Sequence, residues 1–66
     1  DYRLDKIDRQ LLYELSIGTK MKELPNIIPM SMTGLEKRKK HLKVIFDVEE
    51  GDDRALVLKA KEKGFI

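Results

Sequence analysis

The sequence of 66 residues contains no cysteine, which excludes disulfide bonds and cysteine-ligated metal sites. We therefore expect the stability of the chain to come from packing alone, as suits a reducing compartment. No apolar run approaches the roughly 18 residues needed to span a bilayer, and charges throughout the N-terminal third are unlike a signal peptide. These absences predict a soluble, cytoplasmic protein with no membrane contact.

Signatures of catalysis are also missing from the sequence. There is no glycine-rich phosphate loop, and the single histidine, His41, belongs to no serine-histidine-aspartate arrangement. His41 has no cysteine or second histidine to share a metal with, so a surface or phosphate-facing position is expected. The acidic segment 49–53 lacks the spacing of a calcium loop and is better explained by helix capping. The prediction is a protein that is not an enzyme and uses no cofactor or metal.

The length of the chain limits it to one domain, since a chain of roughly 60 residues hides only about 60% of the surface that its unfolded form exposes. We expect a single domain over residues 1–66. Because the sequence begins with Asp1 rather than methionine and ends on Phe65 and Ile66, we also expect it to be a piece of a longer protein.

Positive charge is concentrated in one short segment. The net charge is +2, but residues 36–43 carry five cations against one glutamate, so this segment is +4 and the remainder is −2. One dense basic stripe on a slightly acidic chain is expected where a polyanion docks. The alternative at this point is a solvated helix face.

Apolar residues at helical spacing predict a first helix over residues 6–17. Asp5 is placed to cap it, Asp8 to lie in its first turn, and Gly18 to end it. The apolar positions of this helix are Leu4, Ile7, Leu11, Leu12 and Leu15.

A second, short helix is predicted after Thr19, which can cap it, and before Pro29, which prevents its continuation. Its apolar positions are Leu24, Ile27 and Ile28. Pro25 removes a backbone donor inside this segment, so we expect a kink or a restart there.

A turn over residues 30–34 leads to a third helix, in which Thr33 and Glu36 have the spacing of a capping box. One face of this helix is apolar and its other faces carry the basic stripe. Lys39 lies on the apolar side, where its stem can pack while its ammonium group reaches solvent. The apolar positions are Leu35, Leu42, Ile45 and Phe46.

A fourth helix is predicted to begin near Asp53, because aspartates favour the positive end of a helix, and to be ended by Gly64. If Leu56 and Ala60 pack inward, then Val57, Leu58 and Lys61 are spaced for a partner face, although ordinary core is the alternative. No strand pattern is visible, so the predicted fold is all-α.

Two helices joined by a tight turn, the second of them basic, are typical of a helix-turn-helix unit that places its second helix in the major groove of DNA. Here the five cations lie on the helix after the turn, which the topology would place in the groove. The sequence therefore predicts a four-helix helix-turn-helix domain, with the third helix as recognition helix and double-stranded DNA as partner.

The order and spacing of these residues resemble the C-terminal domain of the LuxR/NarL/FixJ regulators. The likeness runs without a gap from Leu4 to Phe46 and resumes at the C-terminal end. Four differences make this an atypical version: Pro25 replaces a small residue, Glu36 a lysine, Arg38 a histidine and Lys39 an aliphatic residue. The matching positions are Leu4, Asp5, Asp8, Leu11, Leu12, Leu15, Gly18, Glu23, Leu24, Ile28, Met30, Ser31, Leu35, Ala60, Gly64, Phe65 and Ile66.

The resemblance implies the output domain of a two-component response regulator that binds specific DNA sequences. It places Glu36, Lys37 and Lys40 toward base edges, and Lys22, Thr33 and Arg38 nearer to phosphates. Capping of the helix together with Thr33 is the alternative for Glu36, and a solvated face is the alternative for the two lysines.

The start of the second helix is a separate candidate for a phosphate contact. Lys20 and Thr19 lie there, where backbone N–H groups and the helix dipole attract anions. Simple capping by Thr19 is the alternative.

The resemblance also implies a homodimer through the fourth helix, with Val57, Leu58 and Lys61 at the interface. A contact with RNA polymerase is a further expectation. The rival function is a helical protein-interaction module that docks its basic helix on an acidic partner, and a third is a sigma-factor-like piece that requires polymerase.

Overall fold

The computed structural model describes residues 3–66, and this part of the chain is helical with no strand. The predicted all-α class is confirmed, and so is the number of four helices. The first two residues of the predicted 1–66 domain lie outside the described range. The elements are α1 (Lys6–Ser16), a 3₁₀ helix (Met21–Asn26), α2 (Met32–Ile45) and α3 (Asp53–Glu62).

Helix α1 begins and ends where the sequence predicts. The Asp5 carboxylate accepts a hydrogen bond from the Asp8 backbone N–H at 2.8 Å, and the Asp8 carboxylate accepts from the Asp5 N–H at 3.4 Å. This reciprocal pair is a capping box. At the other end Gly18 has φ +86°, a left-handed conformation that glycine adopts without a Cβ penalty.

The second helix differs from the prediction in its winding and its cap. It is a 3₁₀ helix that contains Pro25, and no side chain caps it at Lys20. The Thr19 hydroxyl instead donates to Glu14 Oε1 at 2.7 Å, so the predicted Thr19 cap is wrong. Hydrogen bonds between residues three positions apart are typical of this tighter helix. One example is the bond from the Ile27 N–H to the Leu24 carbonyl, at 2.9 Å.

Helix α2 starts earlier than predicted, and its cap is a different residue. The Ser31 hydroxyl accepts from the Gly34 N–H at 3.1 Å, and the Ser31 backbone is extended, as a capping residue requires. Thr33 therefore lies inside the first turn, and the predicted capping box of Thr33 with Glu36 is wrong. The predicted turn over residues 30–34 is correspondingly shorter.

Helix α3 starts at Asp53 as predicted, with the Asp52 carboxylate accepting from the Ala55 N–H at 3.0 Å. Leu56 and Ala60 face the core, as expected, and the chain leaves the helix through Gly64 at φ +81°. The ring of Phe65 then returns to meet Phe46 edge to face, with ring centroids 5.7 Å apart.

A single apolar core joins the four helices. Helix α1 packs against both α2 and α3, and the 3₁₀ helix packs against α2. Nine side chains are completely removed from solvent: Leu11, Leu12, Leu24, Ile28, Leu35, Leu42, Phe46, Leu56 and Ala60. Seven of these side chains come from the three α-helices or the cap of α2, and the remaining two are Leu24 and Ile28. Because α1 and the 3₁₀ helix both pack against α2, α2 is held in place from two sides. Within residues 3–66, no helix has the length and apolar character needed to cross a membrane.

Candidate nucleic-acid interface

The five cations of the basic stripe all lie on α2, but the fold separates them into two groups. Arg38, Lys39 and Lys43 point along the flanks of the helix, where aspartates of neighbouring helices bind them. Lys37 and Lys40 are exposed and form no ion pair with any residue from 3 to 66. The charge density seen in the sequence is thus only partly available to a ligand.

Arg38 is bound by the first turn of α1. Its Nη1 atom donates to both Asp5 oxygens, at 2.8 and 2.6 Å, and to Asp8 Oδ1 at 3.0 Å. The hydrogen bond from Arg38 is the largest cause that lowers the pKa of Asp5, and the bonds to Asp5 and Asp8 raise the pKa of Arg38. The side chain predicted to approach a phosphate is therefore engaged within the chain.

Lys39 and Lys43 are bound by the first residue of α3. Lys39 Nζ lies 3.1 Å from Asp53 Oδ2, and Lys43 Nζ lies 3.2 Å from Asp53 Oδ1. Partial burial raises the pKa of Asp53, but the two lysines outweigh this effect and the net shift is downward. The stem of Lys39 is mostly covered, as expected, and its ammonium group is paired with the part-exposed Asp53 carboxylate.

Four exposed residues form the outward face of α2, and this second set is called the outward stripe: Thr33, Lys37, Lys40 and Val44. They recur at steps of four, three and four positions, which places them on one face of a helix. Glu36 and His41 flank this stripe and are also exposed. The structure thus brings together four residues predicted at the site, namely Thr33, Glu36, Lys37 and Lys40.

Val44 is a member of the stripe that the sequence analysis did not single out. Its side chain is 53% exposed, although valine would ordinarily be expected to pack. The periodicity from Thr33 could have indicated its position. Its exposure could not be inferred, because it depends on how α2 is rotated against the core.

Lys20 and Lys22 lie at the start of the 3₁₀ helix, and both are exposed. Neither forms an ion pair with the described residues. The phosphate contact is predicted from the start of a helix, and the structure has a six-residue 3₁₀ helix there; the contact itself stays a prediction. What remains is two free ammonium groups on the element that packs against α2.

The residues predicted for a dimer interface lie on the outer side of α3. Leu58 is 56% exposed, Lys61 is exposed and Val57 is half-buried. With Leu15 and Gly18 they line a groove between the end of α1 and α3. An exposed leucine beside a groove is a surface that a partner chain could cover.

Within residues 3–66, no three histidine, cysteine, aspartate or glutamate side chains form a group that could hold a metal ion. Comparisons of the sequence and the structure with protein families, curated proteins and solved structures found no match.

Proposed function

We propose that this chain binds double-stranded DNA in a sequence-specific manner, with α2 as the helix that enters the major groove. The observation that carries the proposal is the separation of the cations on α2. Arg38, Lys39 and Lys43 are paired with aspartates, while Lys37 and Lys40 extend from one exposed face. An α-helix fits the major groove of B-DNA, which is about 12 Å wide, and lysines on its outer face reach the base edges.

The 3₁₀ helix, the connection over residues 27–31 and α2 supply the parts of a helix-turn-helix unit. In this proposal the 3₁₀ helix takes the place of the first helix, which crosses the DNA backbone while the second lies in the groove. Its packing against α2 supports that assignment. Lys20 and Lys22 would then face phosphates, as would the hydroxyl of Thr33 in the first turn of α2.

Base reading is assigned to three side chains. Lys37 and Lys40 can donate to O6 and N7 of guanine, and Glu36 can accept from N4 of cytosine. The alternative role of Glu36, capping α2 with Thr33, does not occur because Ser31 caps this helix. Glu36 is exposed and its carboxylate is available to a ligand.

A single α2 presents few free cations, so a second copy would add the affinity that one small domain lacks. We propose that two chains pair through the outer face of α3, with Val57, Leu58 and Lys61 at the contact. Paired half-sites are the usual DNA target of such dimers. Taking this together with the sequence resemblance, we propose that the chain is the output domain of a LuxR/NarL/FixJ-type response regulator in a two-component system.

The rival function is a protein-interaction module, and Val44 is the observation that favours it. An exposed valine between lysines suits a protein partner that has both acidic and apolar surface, of which an RNA polymerase subunit is one example. The two functions differ in what Lys37 and Lys40 recognise. Loss of a base-reading lysine relaxes sequence preference, whereas an interaction module has no DNA preference to relax.

The test is a selection from a randomised duplex library, followed by fluorescence anisotropy with the selected duplex and a scrambled one. Binding is measured between about 50 and about 200 mM salt, where each phosphate neutralised contributes a slope of about −0.9 in log K against log salt. The proposal requires a preference for the selected duplex and a salt-dependent affinity. If neither duplex binds at low salt, DNA binding is abandoned in favour of the interaction module.

A further inference from the structure

The contact between α2 and the first turn of α1 involves more acid than base. Nη1 of Arg38 lies within 3.0 Å of oxygens from both Asp5 and Asp8. With all three groups ionised, two carboxylates surround one guanidinium, and the cluster carries a net charge of −1. A phosphate that approached Arg38 in this state would meet two carboxylates as well as the guanidinium.

The two carboxylates cannot follow Arg38 away from α1. Each accepts a hydrogen bond from the backbone N–H of the other residue in the capping box, and Asp8 is only 7% exposed. Arg38 is on a long, flexible side chain, whereas its partners are fixed to a helix end. If the contact opens, therefore, it is the guanidinium that moves.

The held guanidinium lies directly beside the proposed DNA face. Arg38 follows Lys37 in the sequence, and Lys37 and His41 line the same surface depression as Asp5, Asp8 and Arg38. The Arg38 side chain is 30% exposed, so it is not sealed in the core. A short swing of the side chain would bring a third cation to the edge of the stripe formed by Thr33, Lys37, Lys40 and Val44.

We infer that Asp5 and Asp8 withhold Arg38 from DNA phosphates and thereby lower the affinity of the α2 face for DNA. This inference rests on the proposed function. In the wild-type chain Arg38 makes no phosphate contact, and the two acids determine how many cations the DNA backbone meets. A domain restrained in this way depends more strongly on a second copy for stable binding.

The test compares four chains: wild type, Asp5→Asn with Asp8→Asn, Arg38→Gln, and the triple variant. Asparagine is a good N-cap, so Asp5→Asn keeps a side-chain acceptor at the cap of α1. Asp8→Asn keeps one acceptor oxygen at the third position of the helix, and both substitutions remove charge. The probe is a duplex selected from a randomised library with the wild-type chain, measured by anisotropy across a salt series. Circular dichroism establishes that each variant is folded.

The acid variant, Asp5→Asn with Asp8→Asn, is expected to bind DNA about threefold to tenfold more tightly than wild type at low salt. Its slope of log K against log salt should be steeper by about 0.9, because one more phosphate is neutralised. Arg38→Gln alone is expected to keep the wild-type salt slope, because Arg38 contacts no phosphate in the wild-type chain. In the triple variant the added slope should disappear. If the acid substitutions unfold the chain, Asp5→Asn alone removes the charge of the residue that makes the two shortest contacts and should shift the slope in the same direction.

Three results would overturn the inference. The first is a gain in affinity that persists in the triple variant, since it would then come from lost negative charge alone. The second is weaker binding by the folded acid variant, which would make the acids positioning residues for α2. The third is a shallower salt slope in Arg38→Gln alone, which would mean that Arg38 already neutralises a phosphate in the wild-type chain. If none of the four chains binds any duplex at low salt, the proposed function fails, and the inference fails with it.

Discussion

Asp53, the first residue of α3, binds Lys39 with one carboxylate oxygen and Lys43 with the other, at 3.1 and 3.2 Å. The two lysines are one helical turn apart on α2, so a single carboxylate ties the start of one helix to the flank of another. Both lysine side chains are more than three-quarters covered. Part of the basic segment therefore joins α2 to the start of α3.

The first prediction concerns this carboxylate. Asp53→Asn should lower the free energy of unfolding, because it leaves two largely covered ammonium groups without their counter-charge. Exposed ion pairs contribute about 0.2 to 1 kcal/mol each, and since Asp53 is itself part-exposed we expect a loss of about 1 kcal/mol. Urea denaturation followed by circular dichroism measures this loss.

The control for Asp53→Asn is Glu49→Gln, since Glu49 is an exposed acid in the preceding loop with no ion pair in the described chain. Equal losses in the two variants would contradict the prediction.

Low pH should reduce the free energy of unfolding, because Asp5 and Asp53 become protonated. The pKa of each lies below the ordinary 3.8 in the folded chain, so the unfolded chain takes up protons first as the pH falls. The stability that these groups contribute is fully present above about pH 5 and is lost as the pH falls through the folded-state pKa values, below 3.8. Urea midpoints measured from neutral pH downward should show this loss, and it should shrink in Asp5→Asn with Asp53→Asn. An unchanged pH dependence in that variant would contradict the assignment.

The elements most accurately predicted from the sequence are those whose ends are set by neighbouring residues. Asp5 and Gly18 bound α1, and Asp52, Asp53 and Gly64 bound α3, through caps and turns that reach only a few positions. The cap of α2 was misassigned because Ser31 and Thr33 are both good capping residues. Backbone conformation decides between them, and spacing alone does not reveal it.

The partners of the cations could not be predicted from the sequence. Arg38 and Asp5 are 33 positions apart, and Lys39 and Asp53 are 14 apart. Which acid meets which base depends on how α1 and α3 are placed against α2, and this placement follows from the packing of the whole core. The basic segment was visible in the sequence, but its division into bound and free cations required the fold.

That division predicts different results for two lysines close together on α2. Lys37→Gln should weaken DNA binding and reduce the salt slope by up to about 0.9, since one free cation is lost, with little change in stability. Lys39→Gln should instead lower stability and leave the slope nearly unchanged, because its ammonium group is bound to Asp53. Anisotropy and urea denaturation on both variants provide the comparison. Equal effects on the salt slope would mean that Lys39 is as available to DNA as Lys37.

Two glycines should respond differently to the same substitution. Gly18→Ala places a Cβ on a backbone with φ +86° and should cost about 1 kcal/mol. Gly34 lies within α2, where alanine is favoured by up to about 1 kcal/mol. There the new Cβ would meet mainly the mobile end of Met30 at 2.8 Å, so Gly34→Ala should be neutral or stabilising. Thermal unfolding of both variants measures the difference, and a destabilised Gly34→Ala would mean that Met30 or the Ser31 hydroxyl cannot move aside.

The outer face of α3 predicts a variant that affects assembly without affecting the fold. Leu58 is 56% exposed beside the groove lined by Leu15 and Val57, so Leu58→Gln removes apolar surface that the folded monomer does not use. Stability should change by less than about 0.5 kcal/mol, as for an ordinary surface substitution.

If two chains pair through this face on DNA, Leu58→Gln should reduce binding to a duplex that carries two half-sites and leave binding to a single half-site unchanged. Anisotropy with the two duplexes and sedimentation of the complexes measure the difference. Leu56→Ala is the contrasting variant, since Leu56 is fully buried and its truncation should cost about 2 to 5 kcal/mol. Equal losses of Leu58→Gln on both duplexes would place the α3 face outside the dimer contact and leave its exposed leucine to another partner.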